Sequence, residues 1–135
     1  MTAPTQYVRT LTYERDGFAC VSCGAMSNLQ WNHRSSSGHG GRGKKAPKLT
    51  PSDGVTSCAN CNPRYEADLQ TKALASGWKL RRNRLLASHE VPFWNRNTSE
   101  WWLPDADGGK QIIHASLALE LIEAAGGLTR AEVAS

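Results

Sequence analysis

The stretch that decides the fold reads CVSC at residues 20–23, LQWNHR at 29–34 and DGVTSCANCNPRYE at 53–66. It contains two Cys-x-x-Cys pairs separated by 34 residues, and their four cysteines are all that the chain has. Two such turns can supply the four thiolates of a closed tetrahedral zinc site. Two disulfides are the alternative, but nothing near the N-terminus resembles a secretory signal, so we expect a reducing cytoplasm. We therefore predict a structural Zn²⁺ ion held by Cys20, Cys23, Cys58 and Cys61.

Short predicted elements connect the two cysteine pairs. Residues 29–33 alternate in polarity as a strand does, and residues 53–57 are expected to form the second strand of a hairpin. A helix is predicted to follow, with Asn62 as its N-cap, Pro63 in its first turn and Gly77 at its end. The order strand, strand, helix between two cysteine pairs predicts a small, zinc-stabilised α+β domain.

These motifs resemble those of the HNH, or ββα-metal, endonucleases, especially the zinc-stapled form found in phage and actinobacterial proteins. The resemblance extends beyond the cysteine pairs. GHGG at 38–41, ALASGW at 73–78 and the VPF and WWLPDADG segments within 91–108 are also similar to phage sequences of this family. In all, the resemblance covers roughly residues 13–109.

The fold implied by the resemblance is a ββα-metal (HNH-like) core at residues 18–77. The helical spacing of Tyr7, Val8 and Leu11 predicts a short helix before this core, with Thr5 as its N-cap. We expect a β-hairpin at 91–104 to belong to the same domain, which would span residues 1–109. Residues 110–135 are predicted to be a C-terminal helical extension, with a helix at about Ala115 to Ala125.

The resemblance also implies a catalytic site. His33 matches the general base of phosphodiester hydrolysis, and Asp53 matches the family's middle Asn, which holds the backbone around that base. A catalytic Mg²⁺ or Mn²⁺ ion would be bound by Asn32, Asn62 and Glu66. From the residues alone simpler roles are open: His33 as a hydrogen-bonded core histidine, Asp53 in an Asp-Gly turn, and Asn62 as a helix cap.

The net charge of +4 hides an asymmetry along the chain. Residues 1–87 hold 13 Lys and Arg against 5 Asp and Glu, whereas residues 88–135 hold 3 against 7. A basic half suits contact with a phosphate backbone, since neutralised phosphates release their counterions; a solubilising surface is the alternative. The candidate nucleic-acid-binding residues are Arg34, Arg42, Lys44, Lys45, Lys48, Lys79, Arg81, Arg82 and Arg84.

We therefore expect a metal-dependent DNA endonuclease that nicks or cuts phosphodiester bonds, encoded by a phage and acting in the cytoplasm of its host cell. Residues 32 and 62 are neutral Asn where the family commonly has His or Asp, and residue 53 is Asp. These departures support a competing hypothesis, a catalytically weakened HNH fold that binds nucleic acid or a host protein. No apolar run is long enough to span a membrane, so we expect no membrane partner.

Overall fold

The computed structural model describes residues 3–35 and 48–127 of the 135-residue chain. These residues form both helices and antiparallel strands, which confirms the predicted α+β class. In chain order they are α1 (Gln6–Arg15), β1 (Leu29–His33), β2 (Gly54–Cys58), α2 (Cys61–Arg64), α3 (Gln70–Ala75), β3 (Phe93–Asn95), β4 (Glu100–Pro104), β5 (Lys110–Ile113) and α4 (Ala115–Ala124).

The first helix forms where the sequence predicts it. The backbone N–H of Val8 donates to the Thr5 hydroxyl at 3.2 Å, so Thr5 caps the free N–H groups of the first turn. At the other end Gly17 takes a left-handed φ of 71°, which ends the helix. Both boundaries of α1 are therefore fixed by local chemistry.

The predicted hairpin is also confirmed. Strands β1 and β2 pair antiparallel, with Leu29 opposite Cys58 at one end and His33 opposite Gly54 at the other. A strand rises about 3.3 Å per residue, so the two ends lie roughly 13 Å apart. The hairpin therefore carries a cysteine at one end and the candidate general base at the other.

The single helix predicted after the second cysteine pair is wrong. Two short helices, α2 and α3, are separated by a turn at residues 65–69 in which the Leu69 N–H donates to the Arg64 carbonyl. Helix α2 begins at Cys61, whose N–H donates to the Sγ of Cys58, so Asn62 lies inside the helix and is not its cap. The cysteine pair starts the helix two residues earlier than the capping pattern indicates, with Asn60 and not Asn62 at the N-cap position.

A second sheet has the order β3–β4–β5 and is antiparallel throughout. Its first two strands are the hairpin predicted within 91–104. Strand β5 was not predicted, because residues 110–113 were assigned to the helical extension. The boundary drawn after residue 109 therefore falls inside the β4–β5 hairpin, while α4 forms at the predicted position.

The main core lies between the β1–β2 hairpin and the second sheet. Its largest members, Tyr65, Trp78, Phe93 and Trp102, pack with the buried cysteines. Helix α4 adds a separate, smaller cluster in which Ile122 packs with Leu80 and Val91. Among the described residues, no helix has both the length and the apolar character needed to cross a membrane.

Candidate functional site

The four cysteines come together from three elements. Cys20 and Cys23 lie in the turn after α1, Cys58 ends β2, and Cys61 begins α2. All four are free thiols whose sulfur atoms lie within 4.8 Å of one another, with 3.7 Å between the Sγ atoms of Cys23 and Cys58. A tetrahedral zinc ion with Zn–S bonds of about 2.3 Å places its sulfurs about 3.8 Å apart. The tetrad therefore has the geometry to hold a structural metal ion such as zinc.

Hydroxyl groups surround this tetrad. The Ser22 hydroxyl lies 3.2 Å from the Cys20 Sγ and 2.6 Å from the Tyr65 hydroxyl, to which Ser57 also donates at 3.0 Å. Such outer contacts fix the orientation of metal ligands. The link between Tyr65 and Cys20 runs through Ser22, which is 43 residues from Tyr65 in the sequence, so no short-range pattern predicts it.

The surroundings of the cysteines also shift the pKa values of Cys20 and Cys61 in opposite directions. Burial acts to raise the pKa of Cys20, but hydrogen bonds from Ser22 and from backbone amides outweigh it and lower this pKa to about 6. Burial raises the pKa of Cys61 to about 12. A zinc ion bound as a tetrathiolate complex must therefore displace at least the Cys61 proton at neutral pH.

Asn32 is the predicted ion ligand whose surroundings are most informative. Its side chain is fully buried, and its amide N–H donates to the Trp78 carbonyl at 2.9 Å. Its Oδ1 atom has no hydrogen-bond partner within the described part of the chain. A buried acceptor without a partner is costly, and it suits a cation. The need to donate to Trp78 explains why an Asn, and not an Asp, fits position 32.

The other two predicted ligands already have protein partners. The Asn62 amide donates to the Gln30 Oε1 at 2.9 Å, and the Glu66 carboxylate lies 3.4 Å from the Lys79 ammonium. Glu66 is exposed, whereas burial lowers the pKa of Lys79 against the opposing effect of Glu66. The oxygen donors at these positions are of the type that Mg²⁺ prefers.

The imidazole of His33 lies on the other side of β1 from the Asn32 side chain, as strand alternation requires. It is half-buried, and its ring meets the Trp31 indole edge-on with 4.7 Å between centroids. The backbone carbonyl of His33 accepts from Lys79 at 2.9 Å. His33 and Asn32 could therefore act on one phosphate only if the substrate lay across the end of β1.

Asp53 accepts hydrogen bonds through both its carboxylate and its backbone carbonyl. Its carboxylate accepts from the Thr50 N–H at 2.8 Å and from the Ser88 hydroxyl at 2.7 Å. Its backbone carbonyl accepts from the N–H of Arg34, the residue that follows the candidate base. Asp53 thus positions the chain next to His33 through its main chain, while its side chain closes a turn.

The prediction that Arg34 contacts phosphate is wrong, because its side chain is fully buried. Its guanidinium donates to five backbone carbonyls at 2.8–3.2 Å. Burial lowers the pKa of Arg34 to about 9, which leaves it charged at neutral pH. The carbonyls belong to Ser52, Gly77, Ser88, Val91 and Pro92.

The remaining predicted cations differ in accessibility. Arg42, Lys44 and Lys45 lie outside the described residues. Lys48, Arg81 and Arg82 are exposed, while Lys79 is largely buried and Arg84 is half-buried. Arg81, Arg82 and Arg84 line a cavity of about 380 Å³ next to the end of α4. With Lys48, these three arginines are the predicted nucleic-acid-binding residues that the structure describes and that are not largely buried.

A buried ion pair was missed by sequence reasoning altogether. Arg15 and Asp16 pair at 2.8 Å with both side chains almost fully buried, and Asp16 also accepts from the Thr56 N–H at 2.8 Å. Arg15 donates further to the Gly54 carbonyl at 2.8 Å. No short-range pattern marks this pair, because its partners lie about 40 residues away on β2.

Within the described residues, the cysteine tetrad is the only group of three or more His, Cys, Asp or Glu side chains placed to share a metal ion. Comparisons with protein-family models, with curated proteins and with solved structures found no match to this chain.

Proposed function

We propose that this protein is a metal-dependent DNA endonuclease of the HNH type, with a structural zinc ion and a catalytic Mg²⁺ or Mn²⁺ ion. The observation that carries the proposal is the Asn32 side chain. Its amide is fixed by Trp78 and leaves a buried oxygen without a partner in the described chain. Asn32 directly precedes His33 at the end of the hairpin away from the cysteines. A hairpin followed by a helix, with such an acceptor on the residue before a histidine, supports the ββα-metal fold.

The candidate site residues would have three separate roles in hydrolysis. His33 would accept a proton from the water that attacks the scissile phosphate. Asn32, Asn62 and Glu66 would hold the divalent ion, which supplies positive charge against the charge that develops on the phosphate. Residues 81–84, with Lys48 and the basic segment around residues 42–45, would contact the nucleic-acid backbone, which gives affinity without sequence preference.

The test is the nicking of supercoiled plasmid by zinc-loaded protein in Mg²⁺, Mn²⁺ or EDTA. We expect nicking that requires the divalent ion and that falls by about 100-fold or more in His33→Ala, since a general base contributes that much. His89→Ala, which changes an exposed histidine outside the site, is the matched control. Undiminished nicking by a folded, zinc-loaded His33→Ala variant would remove His33 from the reaction.

A second candidate function is favoured by the partners that the predicted ligands already have. Asn62 is bonded to Gln30, and Glu66 is paired with Lys79. A site with these contacts is consistent with a zinc-stabilised nucleic-acid-binding module without hydrolysis. Salt-dependent DNA binding with no nicking in any of the three conditions would establish this function in place of the first. Loss of both activities would direct the search to a host protein as partner.

A further inference from the structure

Lys79 occupies a central place beside the candidate ion site. Its side chain is only 14% exposed, and its ammonium lies 2.9 Å from the His33 carbonyl and 3.4 Å from the Glu66 carboxylate. Lys79 and Glu66 line a cavity of about 180 Å³, to which Tyr65 and Arg81 also contribute. A positive charge is therefore held between the strand that carries the candidate base and the turn that carries a candidate ligand.

The same short segment contacts two of the predicted ion ligands. The Trp78 carbonyl accepts from Asn32, and the next residue, Lys79, pairs with Glu66. The Lys79 ammonium also donates to the backbone carbonyl of His33, and this hydrogen bond holds the ammonium in place independently of Glu66. The position of this cation is thus fixed by the fold.

A surface ion pair alone does not account for this arrangement. An exposed pair contributes little to stability, and Glu66 is 69% exposed at its side chain. Burying most of a lysine costs desolvation energy that such a partner offsets poorly. An ammonium has three N–H donors, and the two described contacts leave one for a ligand in the cavity.

We propose that Lys79 is a resident cation that competes with the divalent ion for the Glu66 carboxylate and contacts a backbone phosphate of the nucleic acid beside the ion site. The inference rests on the proposed function for the location of the ion site. It assigns Lys79 a role different from that of the exposed arginines. Lys79 binds phosphate in the cavity beside the ion site and lowers the affinity of that site for divalent cations.

The experiment measures Mn²⁺ binding to zinc-loaded protein by titration calorimetry and by the electron paramagnetic resonance of free Mn²⁺. Lys79→Gln removes the charge while keeping a donor for His33. We expect it to bind Mn²⁺ about tenfold more tightly, since a unit charge next to the ion is removed. The double variant Lys79→Gln/Glu66→Gln should lose this gain. Lys110→Gln, an exposed lysine on β5, is the control and should match the unchanged protein.

The second readout is the affinity for a duplex oligonucleotide at several salt concentrations. Lys79→Gln should bind more weakly, with a salt slope lower by about one, as for the loss of one phosphate contact. Lys79→Met serves as a second charge-free variant if Lys79→Gln does not fold, with zinc content and thermal unfolding as the checks. Unchanged Mn²⁺ affinity in a folded charge-free variant, or an unchanged salt slope, would overturn the inference. Neither measurement needs cleavage, so a protein that fails to nick plasmid can still pass both.

Discussion

Arg34 shows how a single residue can organise this fold. It follows the candidate base directly, yet its guanidinium points into the interior and joins the segments before β2, after α3 and before β3. Each of its five N–H donors has a carbonyl acceptor, which is the condition for burying a charge at a tolerable cost. The arginine therefore holds three backbone segments together directly after the candidate base.

Lysine at position 34 tests this role at the residue scale. A lysine keeps the charge but offers only three donors from one point, so at least two buried carbonyls lose their partner. We expect Arg34→Lys to lower the free energy of unfolding by about 3 kcal/mol or more, measured by urea denaturation of the zinc-loaded protein. Arg82→Lys, at an exposed position, should change it by less than about 0.5 kcal/mol. Equal stability of the two variants would contradict the structural role.

At the scale of elements, local patterns predicted what local interactions determine. The cap at Thr5, the alternation in β1 and the Cys-x-x-Cys turns act within a few residues, and α1, the first hairpin and the tetrad follow from them. The burial of Arg34 and the contact between Asn32 and Trp78 join residues 18–58 positions apart, and no short pattern encodes them. The candidate ligands could therefore be proposed from sequence, while their partners could not.

Substitution of two glycines that end helices distinguishes the cost of backbone strain from the cost of a steric clash. Gly17 after α1 and Gly77 after α3 have nearly the same left-handed φ, 71° and 74°. A Cβ on Gly17 would meet nothing within 4 Å, whereas one on Gly77 would overlap the carbonyl oxygen of Pro92. We expect Gly17→Ala to cost about 1 kcal/mol from φ alone and Gly77→Ala about 3 kcal/mol or more, by thermal unfolding.

Gly17→Ala serves as the control for Gly77→Ala, because both variants replace a glycine of similar φ with alanine. The Pro92 carbonyl also accepts from Arg34 at 3.2 Å, so displacing it disturbs the arginine as well. Gly77→Ala and Arg34→Lys should therefore be less than additive when combined. A cost for Gly77→Ala no larger than that for Gly17→Ala would show that the close approach to Pro92 is relaxed in solution.

At the scale of the whole molecule, the cysteine tetrad joins segments that lie far apart in the sequence. It connects the turn after α1, the end of β2 and the start of α2, and the buried cysteines belong to the main core. The second sheet packs on that core through Phe93 and Trp102. A metal ion at the tetrad would thus hold together the surface on which the second sheet rests.

Removal of zinc should therefore unfold more than the cysteine turns. The free energy of a structural zinc site is largely free energy of folding, and it is of the order of 10 kcal/mol in small zinc domains. We expect purified protein to contain about one zinc per chain by mass spectrometry. A strong chelator should abolish the cooperative thermal transition followed by circular dichroism, and added zinc should restore it.

Cys23→Ser, at the most exposed cysteine, should lower the zinc content and the melting temperature together. A reducing agent should leave the zinc-loaded protein unchanged, since all four cysteines are free thiols. An unaltered transition after complete zinc removal would mean that the core between the two sheets is sufficient, and that the tetrad contributes little to the fold.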